Sequence, residues 1–486
     1  MKKRLLPVLL TVCLVFSLFT GATLAAEPVT TEDALNNAIL ADDSRTITIS
    51  GTITLTKDLT IPSDKTVVLE GIDESSKILA SGQNTILVQG NLTINNLIVE
   101  GEMERGYAPI TVAANNAELH SDGLNLINTQ TSGTDGFATS AQGIQIASVK
   151  AQFDNAPNSV KIDLKNSSIA LNAASARGIS FGQGTSQTST VVLDNTIIRN
   201  GTKWDTQWLG GYSRGLNITS DTVATVEVKN ASKISGWQYA INEPSKDEAG
   251  KGANIIIDGS ELLGWSAFNI WSDNATITIT NNSKIIGTNG QFNSDKTYTF
   301  SSIVLNGNIY SSPDTYNATG NKLILEDSTV IAETVEEMTP VQSLIRIDCN
   351  ENTVEFKGTV TLQDTTNGSS GAVFQISNME NPMAFVEQHK NIADQATVNL
   401  PSGNSLLPTL NVYYYWISDG KEEGLYCDIN DVLASKAGLA LCDGEFIRLE
   451  NDAVLNAVSY THLRAVSKIV PEPIICSSRR PEVLQN

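Results

Sequence analysis

The chain has 486 residues, only 17% of them charged, and 53 acidic residues outweigh 32 basic ones for a net charge of −21. That balance excludes a nucleic-acid partner, because nothing in it would neutralise a phosphate backbone. Asn, Ser, Thr and Gly take the place of charge at the surface, a composition that suits β-rich exported and sugar-facing proteins.

Lys2, Lys3 and Arg4 precede an apolar run from Leu5 to Phe19, and small residues from Gly21 to Ala26 close it. These are the three regions of a secretory signal peptide, predicted here over 1–26. The run is short for a membrane span. No later segment is apolar enough to cross a bilayer, so no transmembrane segment is expected after signal cleavage, and the protein is expected to be secreted or at the cell surface. Residues 27–44 form a predicted N-terminal cap. Within it Leu35, Ala38 and Ile39 share one face of a short helix, with Thr30 or Thr31 as its N-cap and Glu32 and Asp33 in its first turn.

From about 45 to 400 one pattern recurs. It is apolar-x-apolar-x, then Asn, Asp or Gly, then Ser or Thr, then x-apolar. Val160-Lys-Ile-Asp-Leu-Lys-Asn166-Ser-Ser-Ile169, Val226-Glu-Val-Lys-Asn230-Ala-Ser-Lys-Ile234 and Ile277-Thr-Ile-Thr-Asn281-Asn-Ser-Lys-Ile285 are three copies. Alternation with period two marks strands with one buried face. The Asn or Gly marks a tight bend that tolerates a positive φ. Another strand follows, as in Gly143-Ile-Gln-Ile146, Gly178-Ile-Ser-Phe181, Gly215-Leu-Asn-Ile218 and Ala267-Phe-Asn-Ile270. The unit from Ile255 to Thr276 is 22 residues, one coil of three short strands. Longer units carry insertions, such as 201–213 and 243–252. No single coil buries its apolar face, so the coils must stack, with roughly ten fitting into 45–400. The predicted fold is all-β, a solenoid. Its register resembles the pectate-lyase-like superfamily, and this resemblance implies a right-handed parallel β-helix. That superfamily includes polysaccharide-cleaving enzymes as well as surface proteins and adhesins without catalysis.

The enzymatic signatures of that superfamily are not found. Gly133-Thr-Asp135-Gly-Phe137 faintly echoes one polygalacturonase motif, but no Asp-Asp pair lies in a repeat strand and no His is flanked by glycines. The pectate-lyase signatures, Arg-x-Pro-x-x-Arg and Trp-x-Asp-His, are missing too. No cofactor is expected; Ca²⁺ is compatible with the superfamily but has no supporting motif here. His120, His389 and His462 stand in unrelated contexts. Hydrolysis of a glycoside needs only two carboxylates. Asp205, Asp221, Glu243, Asp247 and Glu248 are available, but solvated surface is the reading favoured for them. Arg177 and Arg214 precede equivalent strands and are likewise read as solvated, with contact to an acidic sugar as the alternative.

The positive signal is aromatic. Five of the six Trp fall between 204 and 271: Trp204, Trp208, Trp237, Trp265 and Trp271, joined by Tyr212 and Tyr239. Asn217, Asn242 and Asn269 align on successive coils beside them and should point outward. Rings that stack on sugar C–H faces beside amides that bond hydroxyls suit a polysaccharide or surface glycan. The competing reading packs these rings into turns and makes the Asn residues a structural ladder, which is favoured for the three Asn. The leading expectation is a non-catalytic polysaccharide-binding protein or adhesin. A lyase or glycoside hydrolase with a divergent site, and a structural spacer, are the alternatives.

Beyond 400 the repeat fades. Residues 401–458 are read as a small β-rich unit in which Cys427 and Cys442 either pair or stay free. Residues 459–486 are basic, proline-containing and predicted to lack structure. Ser459-Tyr-Thr-His-Leu-Arg-Ala465 resembles a translated sequencing-adapter read. That resemblance implies that the natural chain continues differently past about Val458; the alternative is a genuine disordered tail.

Overall fold

The computed structural model describes residues 27–408 apart from 42–45, 135, 153, 174, 185–186, 201–212, 219–221, 237, 244–251, 271–272, 289–300, 306–318, 334–342, 349–350, 366–371 and 378–381, together with four strands beyond 408. Three parallel ladders run the length of the body. Each coil supplies one strand to each ladder, and every strand pairs with its counterpart one coil away. Among the described residues the third ladder has eleven strands, from Leu59–Ile61 to Phe374–Ser377, close to the roughly ten coils that the repeat predicts. This is the expected parallel β-helix.

The register explains the repeat. In the first ladder Ile162, Val191, Val226, Ile255, Ile277 and Leu323 lie level with one another on consecutive strands. All six are fully buried and belong to one continuous apolar core. Two positions on, Leu164, Leu193, Val228, Ile257, Ile279 and Leu325 form a second column. The outward position that follows the second column carries charge of alternating sign: Asp122, Lys165, Asp194, Lys229 and Asp258.

The bend between the first and second ladders holds the sharpest constraint. Asn96, Asn166, Asn195, Asn230, Asn281 and Asp327 all have φ between 43° and 55°, and Gly123, Gly259 and Gly358 have positive φ in the same place on other coils. Asn tolerates this region better than other residues with a Cβ. Its amide also bonds to the coil before: Asn195 Nδ2 donates to Asn166 Oδ1 at 2.7 Å, and Asn166 Nδ2 donates to Asp122 Oδ1 at 2.8 Å. The following Ser or Thr turns inward and is buried. Thr196 Oγ1 donates to the carbonyl of Leu164 (2.9 Å) and Ser232 Oγ to that of Leu193 (3.0 Å), so each hydroxyl satisfies a group on the previous coil.

Both ends of the solenoid are closed by helices. Helix α1 (Glu32–Leu40) starts at Thr31, whose Oγ1 accepts from Ala34 N at 3.3 Å, and buries Leu35 and Ile39 on the first coils. Glu32 accepts from the backbone N of Thr56 and of Lys57 and from the Thr56 hydroxyl, tying the helix to the first coil. Helix α2 (Pro382–His389), which the repeat analysis misses, covers the other end with Met383, Phe385 and His389 buried. Its signal was a proline suited to the first turn of a helix, followed by apolar residues at 383 and 385–386. Beyond it, four strands between Tyr414 and Ser477 form an antiparallel sheet. Ile474–Ser477 pairs with Phe446–Leu449, which departs from the expectation of an unstructured 459–486. The β-branched pair Ile474–Ile475 can serve a strand within a segment whose overall composition is basic and proline-containing. Cys427 and Cys442 lie outside the described residues, as do the signal segment and 459–465.

Two predictions follow from the bend and from α2. Asn195→Gly should change stability little, whereas Asn195→Val places a β-branched residue at φ 48° and should cost about 1–3 kcal/mol in a denaturant melt. His389 is buried; its Nδ1 faces the Phe385 carbonyl at 2.8 Å and its Nε2 accepts from Val354 N at 3.1 Å. Burial pushes its pKa below the ordinary histidine value, against the raising effect of the Phe385 carbonyl. The neutral ring is the folded form, so its contribution is complete above about pH 6.5 and is lost as pH falls through that value toward the depressed folded one. A melting temperature that falls between pH 7.5 and 5.5 in the wild type, and falls less in His389→Gln, is the expected result.

Candidate functional site

The third ladder differs from the other two. In its middle strands, Ala141–Ile146, Ala176–Phe181 and Ser266–Ile270, every residue is buried. Ile144, Ile179, Leu216, Ile241 and Phe268 fill the core from the inner face. The outer face is polar. One lane carries Thr111, Gln145, Ser180, Asn217, Asn242 and Asn269 in register. The neighbouring lane carries Gln142, Arg177, Arg214, Tyr239 and Ser266.

Glycines shape the corner that leads into this face. A Cβ on Gly178 would lie 2.4 Å from Ile198 Cγ2 and 2.5 Å from the Gly215 carbonyl. Gly143 and Gly215 are equally confined, and Ala240 and Ala267 follow them on the next coils. Asn128 and Asn200, at the ends of second-ladder strands, donate to the carbonyls of Gln142 and Arg214. They hold the third-ladder strands where the outer lanes begin.

The three predicted asparagines do form a ladder. Asn242 Nδ2 donates to Asn217 Oδ1 at 3.0 Å, and Asn269 Nδ2 donates to Asn242 Oδ1 at 2.7 Å. Arg214 joins it, donating from Nη1 to Asn217 Oδ1 at 3.0 Å. They hold outward positions, as expected, yet all three are buried. Arg177, read as solvated from the sequence, is buried as well, and Arg214 is half-buried. The two guanidinium groups occupy the same position on adjacent strands. Glu243, also read as solvated, is fully buried, level with Ile270 at an inward position. Strand geometry, not side-chain polarity, set these positions.

Trp265 and Tyr239 are 2% and 4% exposed. Neither presents an open ring face, which corrects the expectation of an aromatic shelf at those two residues. Trp204, Trp208, Tyr212, Trp237 and Trp271 lie outside the described residues, as do Asp205, Asp221, Asp247 and Glu248. Sequence reading overlooked Gln142, Gln145 and Ser180, although their strands were recognised; their alternation with Ile144 and Ile179 was the available signal. It also overlooked the buried pair near the end of the ladder, where Arg346 Nε donates to Asp348 Oδ1 at 2.8 Å.

Among the described residues, no cluster of three or more His, Cys, Asp or Glu is arranged to hold a metal ion. No described helix is long and apolar enough to cross a membrane. Asp348 is the carboxylate that the described third-ladder strands carry at an outward position. Glu243 is three coils away, about 14 Å at the usual strand spacing, beyond the range of a hydrolase pair.

No protein-family model matches this chain, and no curated protein matches it. Among solved structures, it is similar to the A-module of a mannuronan C-5 epimerase from Azotobacter vinelandii, at 10% identity and a TM-score of 0.34, over 77% of this chain and 94% of that module.

Asn242→Leu removes the middle rung and with it the bonds to Asn217 Oδ1 and from Asn269 Nδ2. It should cost about 1–3 kcal/mol for each buried group left unsatisfied. Trp265→Ala should cost about 3–5 kcal/mol, as a buried aromatic does on truncation. Denaturant melts of both variants measure this, and a loss below about 1 kcal/mol for Trp265→Ala would show that the ring is not part of the packed body.

Proposed function

We propose that this protein is a secreted or surface-held β-helix that binds polysaccharide on the side of its third ladder, where half-buried Arg214 reaches solvent, and does not cleave it. The observation that carries this reading is the pair of polar lanes. Amides and guanidinium groups recur there once per coil, at a spacing of about 4.8 Å, along the axis of a rigid rod. An extended polysaccharide presents hydroxyls and ring oxygens in the same repetitive way. The buried asparagines bond to one another and to Arg214, and so hold its guanidinium in place. Half-buried Arg214 brings the stripe to solvent at its middle.

The non-catalytic part of the proposal rests on the missing superfamily motifs and on the separation of Glu243 from Asp348. Export rests on the signal-like N-terminus; retention at the cell surface, or action as an adhesin, belongs to the same proposal.

The test is a glycan array on the full chain, followed by titration of any hit and product analysis of the mixture. Arg214→Gln should weaken binding by about tenfold or more, the loss expected when charge-assisted hydrogen bonds are removed, and no new reducing or unsaturated ends should form. Turnover that survives repurification would replace this reading with the enzymatic one, and an array without a single hit would favour the spacer.

A further inference from the structure

Three successive turns, each carrying the chain from the third ladder into the first, line a solvent-open pocket of about 510 Å³. This is within the usual range for small-molecule sites. Its floor is apolar and buried, formed by Ala113, Ala156 and Pro157. Its rim carries the amides of Asn115, Asn155, Asn158 and Gln183, with Ser148 and a single carboxylate, Asp154.

The walls are fixed by contacts between coils. Asn158 N donates to Asn115 Oδ1 at 2.6 Å, Asn116 N to the Ser159 carbonyl at 2.6 Å, and Ala156 N to the Gln183 carbonyl at 2.8 Å. Lys150, within the longest of these turns, reaches back across several coils to Asp58 Oδ1 and to the Gln83 carbonyl, both at 2.7 Å. The same turn holds Ala151 at φ 59° and Asn155 at φ 56°. A left-handed alanine has no local compensation. A cavity held open by these contacts binds without a large ordering cost.

We propose that this corner pocket is a binding site for a neutral sugar residue. Amides donate and accept at once and so match vicinal hydroxyls, while a carboxylate accepts from two of them. The small apolar floor leaves room for a ring C–H face. An anionic ligand would meet Asp154 with no cation in the lining, since Lys150 is engaged by Asp58. A divalent cation would find one carboxylate where hard cations need several oxygen ligands. None of these residues belongs to the polar lanes, so the site goes beyond the polysaccharide reading and does not depend on it.

The experiment is saturation-transfer NMR and titration of the full chain with the methyl glycosides of glucose, galactose, mannose and N-acetylglucosamine, with methyl glucuronide as the charged control. At least one neutral glycoside should bind at about millimolar affinity, and the glucuronide should bind more weakly. Asn155→Gly keeps the left-handed backbone while removing the amide, and Ala114→Trp fills the cavity. Each should weaken binding by about tenfold or more without lowering the melting temperature. Arg214→Gln should bind the neutral glycoside as the wild type does. Silence from all four neutral glycosides, preference for the glucuronide, binding that survives both pocket variants, or its loss in the arginine variant would overturn the proposal.

Discussion

Every coil must return the chain to the same lateral position, or the backbone of the next coil has nothing to pair with. The left-handed residue between the first and second ladders enforces that return. Asn166, Asn195, Asn230 and Asn281 turn the chain within one or two residues, and their amides or backbone groups bond to the neighbouring coil. The Ser or Thr that follows seals the inner side of the bend against a carbonyl one coil back. Because a buried unsatisfied carbonyl costs about 1–3 kcal/mol, the bend is specified from both faces. The columns of Ile, Leu and Val depend on it, since a slip of one residue would turn each of them outward.

Stacking in register also multiplies whatever stands at one position. On the first ladder this gives alternating Asp and Lys, a pairing that costs nothing and weakly favours correct register. On the third ladder it gives an amide ladder, and beside it two arginines on adjacent strands. Like charges opposite each other are unfavourable in a sheet. A fold that alternates charge on one face and stacks arginines on another is treating the second face differently. Local conflicts of this kind tend to mark functional positions.

The aromatic residues show the limit of composition as a guide. Trp265 and Tyr239 come from a segment so rich in rings that an exposed platform was the natural inference, yet both are packed away. Large rings carry enough apolar surface to be drawn into any corner that accommodates them. Arg214, half-buried, stands level with Tyr239 on the adjacent strand.

The solenoid, the place of each bend, the capping helix over Glu32–Leu40 and the inward columns were legible in the sequence, because each follows from local alternation and from residues that tolerate a positive φ. The asparagine ladder at 217, 242 and 269 was legible for the same reason. Helix α2 was not, since its eight residues carry little periodicity and owe their stability to the open coil beneath them. Burial of Arg177, Glu243 and Trp265 was not legible either, nor was the corner pocket between the turns at Ala113, Ala156 and Gln183. Alternation tells which way a side chain points. What covers it there is decided by segments distant in the chain, and only the packed structure brings those together.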